Sequence, residues 1–143
     1  MADCLFCAIV AGRVPAFKVF DGAEGVAFLD IRPVFKGHVL VVPRPHVPQL
    51  ASLGRLAEFF GLVQRVAVAV PGALGAQGTF VAMNNVVSQS VPHLHAHVVP
   101  RTKGDGLRGF FWPRTKYASD EEARSYAERI GKELGRDGVT SGG

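Results

Sequence analysis

The segment His93-Leu94-His95-Ala96-His97-Val98-Val99 alternates imidazole and apolar side chains with a period of two, which belongs to a β-strand and not to a helix. In an extended strand, residues two apart share a face at roughly 6.5 to 7 Å. His93, His95 and His97 are therefore expected to project together while Leu94, Ala96 and Val98 enter a core. A second run, His38-Val39-Leu40-Val41-Val42, is β-branched and bounded by Gly37 and Pro43, and reads as a buried strand. The chain must thus build a sheet that presents a row of imidazoles. Rings so close repel one another if charged, so the row calls for neutral histidines. A neutral imidazole binds a metal or attacks an electrophile near neutral pH while its neighbour donates a proton.

Turn residues Gly12, Pro15 and Asp21-Gly22 bracket a short apolar stretch over 17–20, and Val26-Ala27-Phe28-Leu29 predicts a strand ending at Asp30. Over 52–70 the apolar positions recur at three and four, which predicts an amphipathic helix capped by Ser52 and stopped by Pro71-Gly72. Strands are expected over 79–83 and 94–99, the second ended by Pro100. Ser119-Asp120-Glu121-Glu122 reads as a capping box opening a helix to about 134, with a frayed tail from Gly135. Mixed elements with neighbouring strands close in sequence predict an α+β domain on a largely antiparallel sheet.

Length and composition narrow the field further. A chain of 143 residues is sized for one domain, expected over 1–135 with a tail over 136–143. With 48% hydrophobic and 20% charged residues, disorder is excluded for most of it. No apolar run reaches the 18 or so residues a bilayer span needs, and the start lacks the basic character of a secretory signal, so a cytoplasmic protein without membrane contact is expected. A net charge of +4 suits an anionic ligand but does not mark a nucleic-acid binder, for which no module is visible.

The histidine segment, with Gln89-Ser90-Val91 before it, resembles the signature of the histidine triad (HIT) family, in its bacterial Hint/Fhit-like branch. The resemblance extends to Cys4-Leu5-Phe6-Cys7, to Phe28-Leu29-Asp30-Ile31-Arg32-Pro33, to Lys36-Gly37-His38 with the strand after it, and to Pro100-Arg101. It implies a HIT-like fold: a mostly antiparallel sheet of five or six strands, one long central helix and a C-terminal helix. It also implies a nucleotide hydrolase or nucleotidyl transferase acting at the α-phosphorus of an adenosine phosphoramidate or a dinucleoside polyphosphate. In that likeness His95 is the nucleophile that forms a nucleotidyl-histidine intermediate, an instance of covalent catalysis. His97 contacts phosphate oxygens, Ser90 lies near the leaving group, and His38 is the family's fourth histidine. Gln89 and one of Asn84 and Asn85 face the phosphate or ribose, and Asp30 accepts from the sugar hydroxyls of an AMP-type purine nucleotide. Phe28 and Ile31, with Phe6, Ile9 and Phe17 nearby, line a slot for the base or belong to the core, and for Phe6 and Phe17 the core is the expectation. The sequence departs from the family pattern in a short loop after Asn84 and in Ser88, where a glycine is usual.

Cys-x-x-Cys alone fits free thiols, a redox pair or a metal site. By the same resemblance, Cys4, Cys7, His46 and His93 form a structural zinc site, a closed tetrahedral set of soft and borderline ligands. No organic cofactor is expected. The basic segment Arg101, Lys103, Arg108, Arg114 and Lys116 reads either as a solvated loop whose Phe110, Phe111 and Trp112 pack on the sheet, or as a flap guiding polyphosphate toward His95. Such exposed aromatics favour pairing into a homodimer. A nucleotide-binding regulatory module with little turnover is the competing function.

Overall fold

The computed structural model describes residues 4–108 and 113–136. A short helix α1 (Leu5–Val10) precedes strands β1 (Lys18–Gly22), β2 (Gly25–Leu29) and β3 (Val39–Val42). A 3₁₀ turn (Leu50–Ser52) leads into helix α2 (Leu56–Leu74), followed by β4 (Gly78–Ala82), β5 (Ala96–Arg101) and α3 (Asp120–Arg136). The chain divides into two compact units, residues 1–105 and 106–143. All five strands lie in the first, in one antiparallel sheet ordered β1-β2-β3-β5-β4.

This sheet buries both faces, which is why β2 and β3 read as nearly unbroken apolar runs. One face, with Ala27, Val39, Val41, Ala96 and Val98, packs on Phe59, Leu62, Val63, Val66 and Val70 of α2. The other, with Val26, Phe28, Leu40 and Val42, packs on Phe6 and Ile9 of α1. Alternation along each strand separates the two sets.

Several boundaries differ from those the sequence predicts. Ser52 closes the 3₁₀ turn, and α2 begins after Arg55, whose φ of 49° breaks the chain direction. Pro71 does not stop α2: it lies in the last turn, where it costs one backbone hydrogen bond, and the helix ends at Gly75 (φ 70°), whose N–H donates to the Pro71 carbonyl at 2.9 Å. Pro100 sits inside β5 because β3 pairs only as far as Val98, so the missing amide forfeits no β3 bond. Phe17 is 71% exposed and not core. Helix α2 is long and apolar enough by length and mean composition to cross a membrane, although Glu58, Gln64 and Arg65 interrupt its apolar run; Phe59, Leu62, Val63, Val66 and Val70 pack it against the sheet.

In the second unit one half of the expected capping box forms at Ser119, while the return bond of Glu122 goes to Ala118, one residue before it. The Glu122 N–H donates to Ser119 Oγ at 3.1 Å, and Glu122 Oε1 accepts from the Ala118 N–H at 2.8 Å. Helix α3 continues through Gly135 to Arg136, past the expected fray. Phe110, Phe111 and Trp112, and the rest of the expected tail over 137–143, lie outside the described residues.

Candidate active site

Strand register puts the polar groups of interest on the α1 face. Leu40 pairs with Phe28 on one side and with His97 on the other, so His97 stands in a row with two buried apolar residues. His38, two residues before Leu40, falls on the same face, and the Asp30 N–H donates to the His38 carbonyl at 3.0 Å, extending the β2–β3 pairing to Asp30. Gly37 makes the entry to His38: its φ is +98°, and a Cβ there would sit 2.2 Å from Leu74.

The three triad histidines do not share one strand. Only His97 lies in β5; His93 and His95 precede it in irregular backbone. That backbone is held by the segment following β3: the Leu94 N–H donates to the Val47 carbonyl at 2.7 Å, and His93 Nε2 donates to the Pro43 carbonyl at 2.9 Å. Leu94, Ala96 and Val98 enter the core as predicted. The His95 and His97 rings stay adjacent, 5.0 Å apart, whereas His93 turns toward the N-terminal cysteines.

A cavity of about 390 Å³ opens between the sheet and α1, lined among others by Phe6, Phe28, Asp30, Ile31, Ser90, His95 and His97. Apolar side chains make most of the wall: Phe6 meets His95 edge-on at 5.0 Å and Phe28 at 5.4 Å. Ile31 stands at the mouth, 81% exposed. A second cavity of about 380 Å³, against α2, is lined by apolar residues and Arg65 and contains no histidine. A third, of about 360 Å³, has Glu24, Arg44, Arg55 and Glu58 on its wall but no histidine, so it is the imidazoles that single out the first.

Hydrogen-bond direction fixes the ring tautomers. A carbonyl can only accept, so His95 Nδ1–H donates to the His93 carbonyl at 2.8 Å and the lone pair resides on Nε2. His38 Nδ1 accepts the Val34 N–H at 3.1 Å, so its proton is on Nε2, which donates to His97 Nδ1 at 2.9 Å. That leaves His97 with an N–H at Nε2. Burial and the neighbouring His95 and His38 push His97 down to about 4, and burial lowers His38 against the opposing pull of Asp30, so both are neutral near pH 7. Asp30 Oδ1 accepts the Arg32 N–H at 2.8 Å, and Oδ2 lies 3.8 Å from His38 Nε2. Asp30, His38 and His97 also cluster closely enough to hold a cation, but the two rings spend their facing nitrogens on each other.

The four expected zinc ligands converge. Cys4 Sγ lies 3.5 Å from His93 Nδ1, and Cys7 Sγ lies 3.3 Å from His46 Nδ1 and 3.5 Å from His93 Nδ1. Tetrahedral zinc with ordinary Zn–S and Zn–N bonds needs sulfur–nitrogen edges of about 3.6 Å. The His93 Nε2–H bond to Pro43 keeps the Nδ1 lone pair aimed at the sulfurs, the orientation a second hydrogen bond gives a ligating histidine. Burial, then Cys4 beside it, pushes the Cys7 thiol up, as two sulfurs do when they converge. By donor chemistry and spacing the set fits zinc.

Other expectations are redirected. Asn85 and Gln89 do not line the cavity: Asn85 Oδ1 accepts the Leu50 N–H at 2.7 Å, and Gln89 Nε2 donates to the Pro48 carbonyl. Asn84 is exposed and is likewise absent from the lining. In the basic segment Arg101 is paired with Asp105, at 2.7 and 3.1 Å, so part of its charge is neutralised locally. Sequence reasoning missed the Val34 amide and the carbonyls of Pro43 and Val47, because backbone groups carry no residue signature. It also missed Arg32 on the cavity wall, although its position two residues after Asp30 was a usable signal.

The HIT-domain family profile matches residues 11–104. Adenosine 5'-monophosphoramidase hnt1 of Schizosaccharomyces pombe is 34% identical over 136 residues, 92% of this chain and 98% of the relative. The crystal structure of a HIT family member from Bacillus subtilis superposes with a TM-score of 0.83 at 33% identity, covering 92% of this chain and 97% of that one. A zinc-bound histidine triad family protein from Mycobacterium smegmatis superposes with a TM-score of 0.70 at 33% identity, covering 92% and 98%. The histidines around the cavity, the sheet that carries them and the sequence matched across both are those of one family, and this chain belongs to the HIT-domain family.

Proposed function

We propose that this HIT-family hydrolase cleaves the bond between the α-phosphorus of an AMP-type nucleotide and its leaving group, with adenosine phosphoramidates and dinucleoside polyphosphates as the substrate class. The observation that carries the reading is the His95 Nδ1–H bond to the His93 carbonyl, which leaves Nε2 as an unprotonated nucleophile on a residue lining the cavity. In the first step His95 Nε2 bonds to phosphorus and the leaving group departs with the bonding pair. The proton it takes up passes through Ser90 Oγ–H, on the same wall, and the serine is reprotonated from solvent. Water then attacks the phosphorus, the phosphorus–Nε2 bond breaks with its pair returning to His95, the water's proton passes to solvent, and the nucleotide is released. His97 donates to the phosphoryl oxygens as charge grows there, and His38 keeps His97 in the donor tautomer. Asp30 faces the ribose hydroxyls, with the base between Phe28, Phe6 and Ile31. The amidase activity in the fission-yeast relative's name supports this substrate class.

Cys4, Cys7, His46 and His93 would hold a structural zinc, as their spacing and the zinc-bound mycobacterial neighbour support. Bound there, it would tie the N-terminus to the backbone of the nucleophile and take no part in the chemistry. A homodimer is supported by the sheet edges. Strand β1 is guarded by a bulge and by the charges of Lys18, Asp21 and Arg44, whereas edge strand β4 carries no charge and exposes Val81.

The test incubates the protein and His95→Asn with an adenosine phosphoramidate and with diadenosine polyphosphates. AMP release by the wild type alone is expected, with nucleotide covalently bound to His95 after an alkaline denaturing quench, which spares the acid-labile phosphorus–nitrogen bond. Tight nucleotide binding without release by either protein would replace the hydrolase reading with that of a binding module.

A further inference from the structure

Ser90 is presented to the cavity by a loop in which two non-glycine residues take left-handed backbone. Val86 has φ 70° and Ser88 φ 61°. Val86 is the centre of a γ-turn closed by the Val87 N–H to the Asn85 carbonyl at 2.8 Å, an uncommon geometry and a costly one for a β-branched residue. Backbone of this kind persists only where its surroundings over-determine it. Here the surroundings are the segment 43–50, stiffened by Pro43, Pro45 and Pro48. It makes four hydrogen bonds to the loop and triad: the Pro43 carbonyl with His93 Nε2, the Val47 carbonyl with the Leu94 N–H, the Pro48 carbonyl with Gln89 Nε2, and the Leu50 N–H with Asn85 Oδ1. The last two come from side chains and grip the loop on either side of Val86 and Ser88.

We infer that Asn85 and Gln89 are positioning residues that clamp the strained 86–88 turn to the proline-rich segment and so set Ser90 at the reacting phosphorus, and that neither touches the phosphate. This rests on the hydrolase reading above. It follows from the shortness of the loop: without glycines to accept φ > 0, the turn needs an external hold, and these two side chains are that hold.

Asn85→Asp separates the alternatives, because a carboxylate still accepts the Leu50 N–H but repels a phosphate. Asn85→Asp is expected to keep kcat and KM within about threefold, whereas Asn85→Leu lowers kcat by about tenfold or more with KM little changed, as misplacement of a reacting group does. In a Ser90→Ala background Asn85→Leu should cost less than about twofold, because its route to the reaction is gone. Amide exchange without nucleotide supplies the independent readout: Leu50 N–H protection is kept in Asn85→Asp and lost in Asn85→Leu. Loss of activity in Asn85→Asp equal to that in Asn85→Leu, with a raised KM, overturns the inference in favour of direct phosphate contact. Equal Leu50 protection in all three proteins overturns the clamp itself. If none turns over substrate, the hydrolase reading falls and the exchange data alone judge the clamp.

Discussion

Replacing His97 by asparagine should flatten the dependence of stability on pH. In the native protein burial and the adjacent His95 and His38 hold the His97 imidazole down to about 4, against 6.5 for the ordinary side chain. The unfolded chain therefore takes up a proton that the native site refuses. The resulting stability is complete above pH 6.5 and is lost as the pH falls toward 4. The full difference is about 3 kcal/mol, of which about 2 kcal/mol is gone by pH 5. Part of the ring faces the cavity, and screening there makes these figures a ceiling. Urea unfolding of wild type and His97→Asn at a series of pH values from 7.5 to 5, at equal metal content, measures the effect. His38 and His93 are also shifted down by burial, so both proteins lose stability on acidification, and the informative quantity is the gap between the two curves. It should close by about 2 kcal/mol in favour of the variant between pH 7.5 and 5. Parallel curves would show that His97 titrates normally and would refute the assignment of a buried, neutral donor.

Two further predictions concern the metal and the edge strand. Protein purified without chelator should contain about one zinc per chain, and the double variant Cys4→Ser, Cys7→Ser should contain none and melt at a lower temperature; unchanged metal content in that variant would remove the site. Val81→Lys places a charge on β4, and sedimentation at micromolar concentration should shift from dimer to monomer while the fold, followed by circular dichroism, is retained. A wild-type monomer under the same conditions would dispose of the pairing.

The amino-acid order alone determined a great deal. The β-branched run over 39–42 and the three-and-four spacing of the central helix fix element types because side-chain periodicity is a local property of the backbone, whereas the period-two histidine segment becomes strand only from Ala96. The motif residues likewise supply the Cys4, Cys7, His46 and His93 cluster that fits zinc and the His95 ring proposed as nucleophile, since both depend on which side chains are present. Tertiary structure decided what depends on distant backbone. Pro71 and Pro100 look like terminators in one dimension, yet each sits where its missing amide costs little. Asn85 and Gln89 carry the right chemistry for a phosphate, but the Leu50 amide and the Pro48 carbonyl claim them first. The turning of His93 toward the thiols, and the tautomer of His97, were settled by the Pro43 carbonyl and the Val34 amide. A carbonyl or an amide exists at nearly every position, so no residue type announces which one will arrive; only the folded path of the chain brings it within 3 Å.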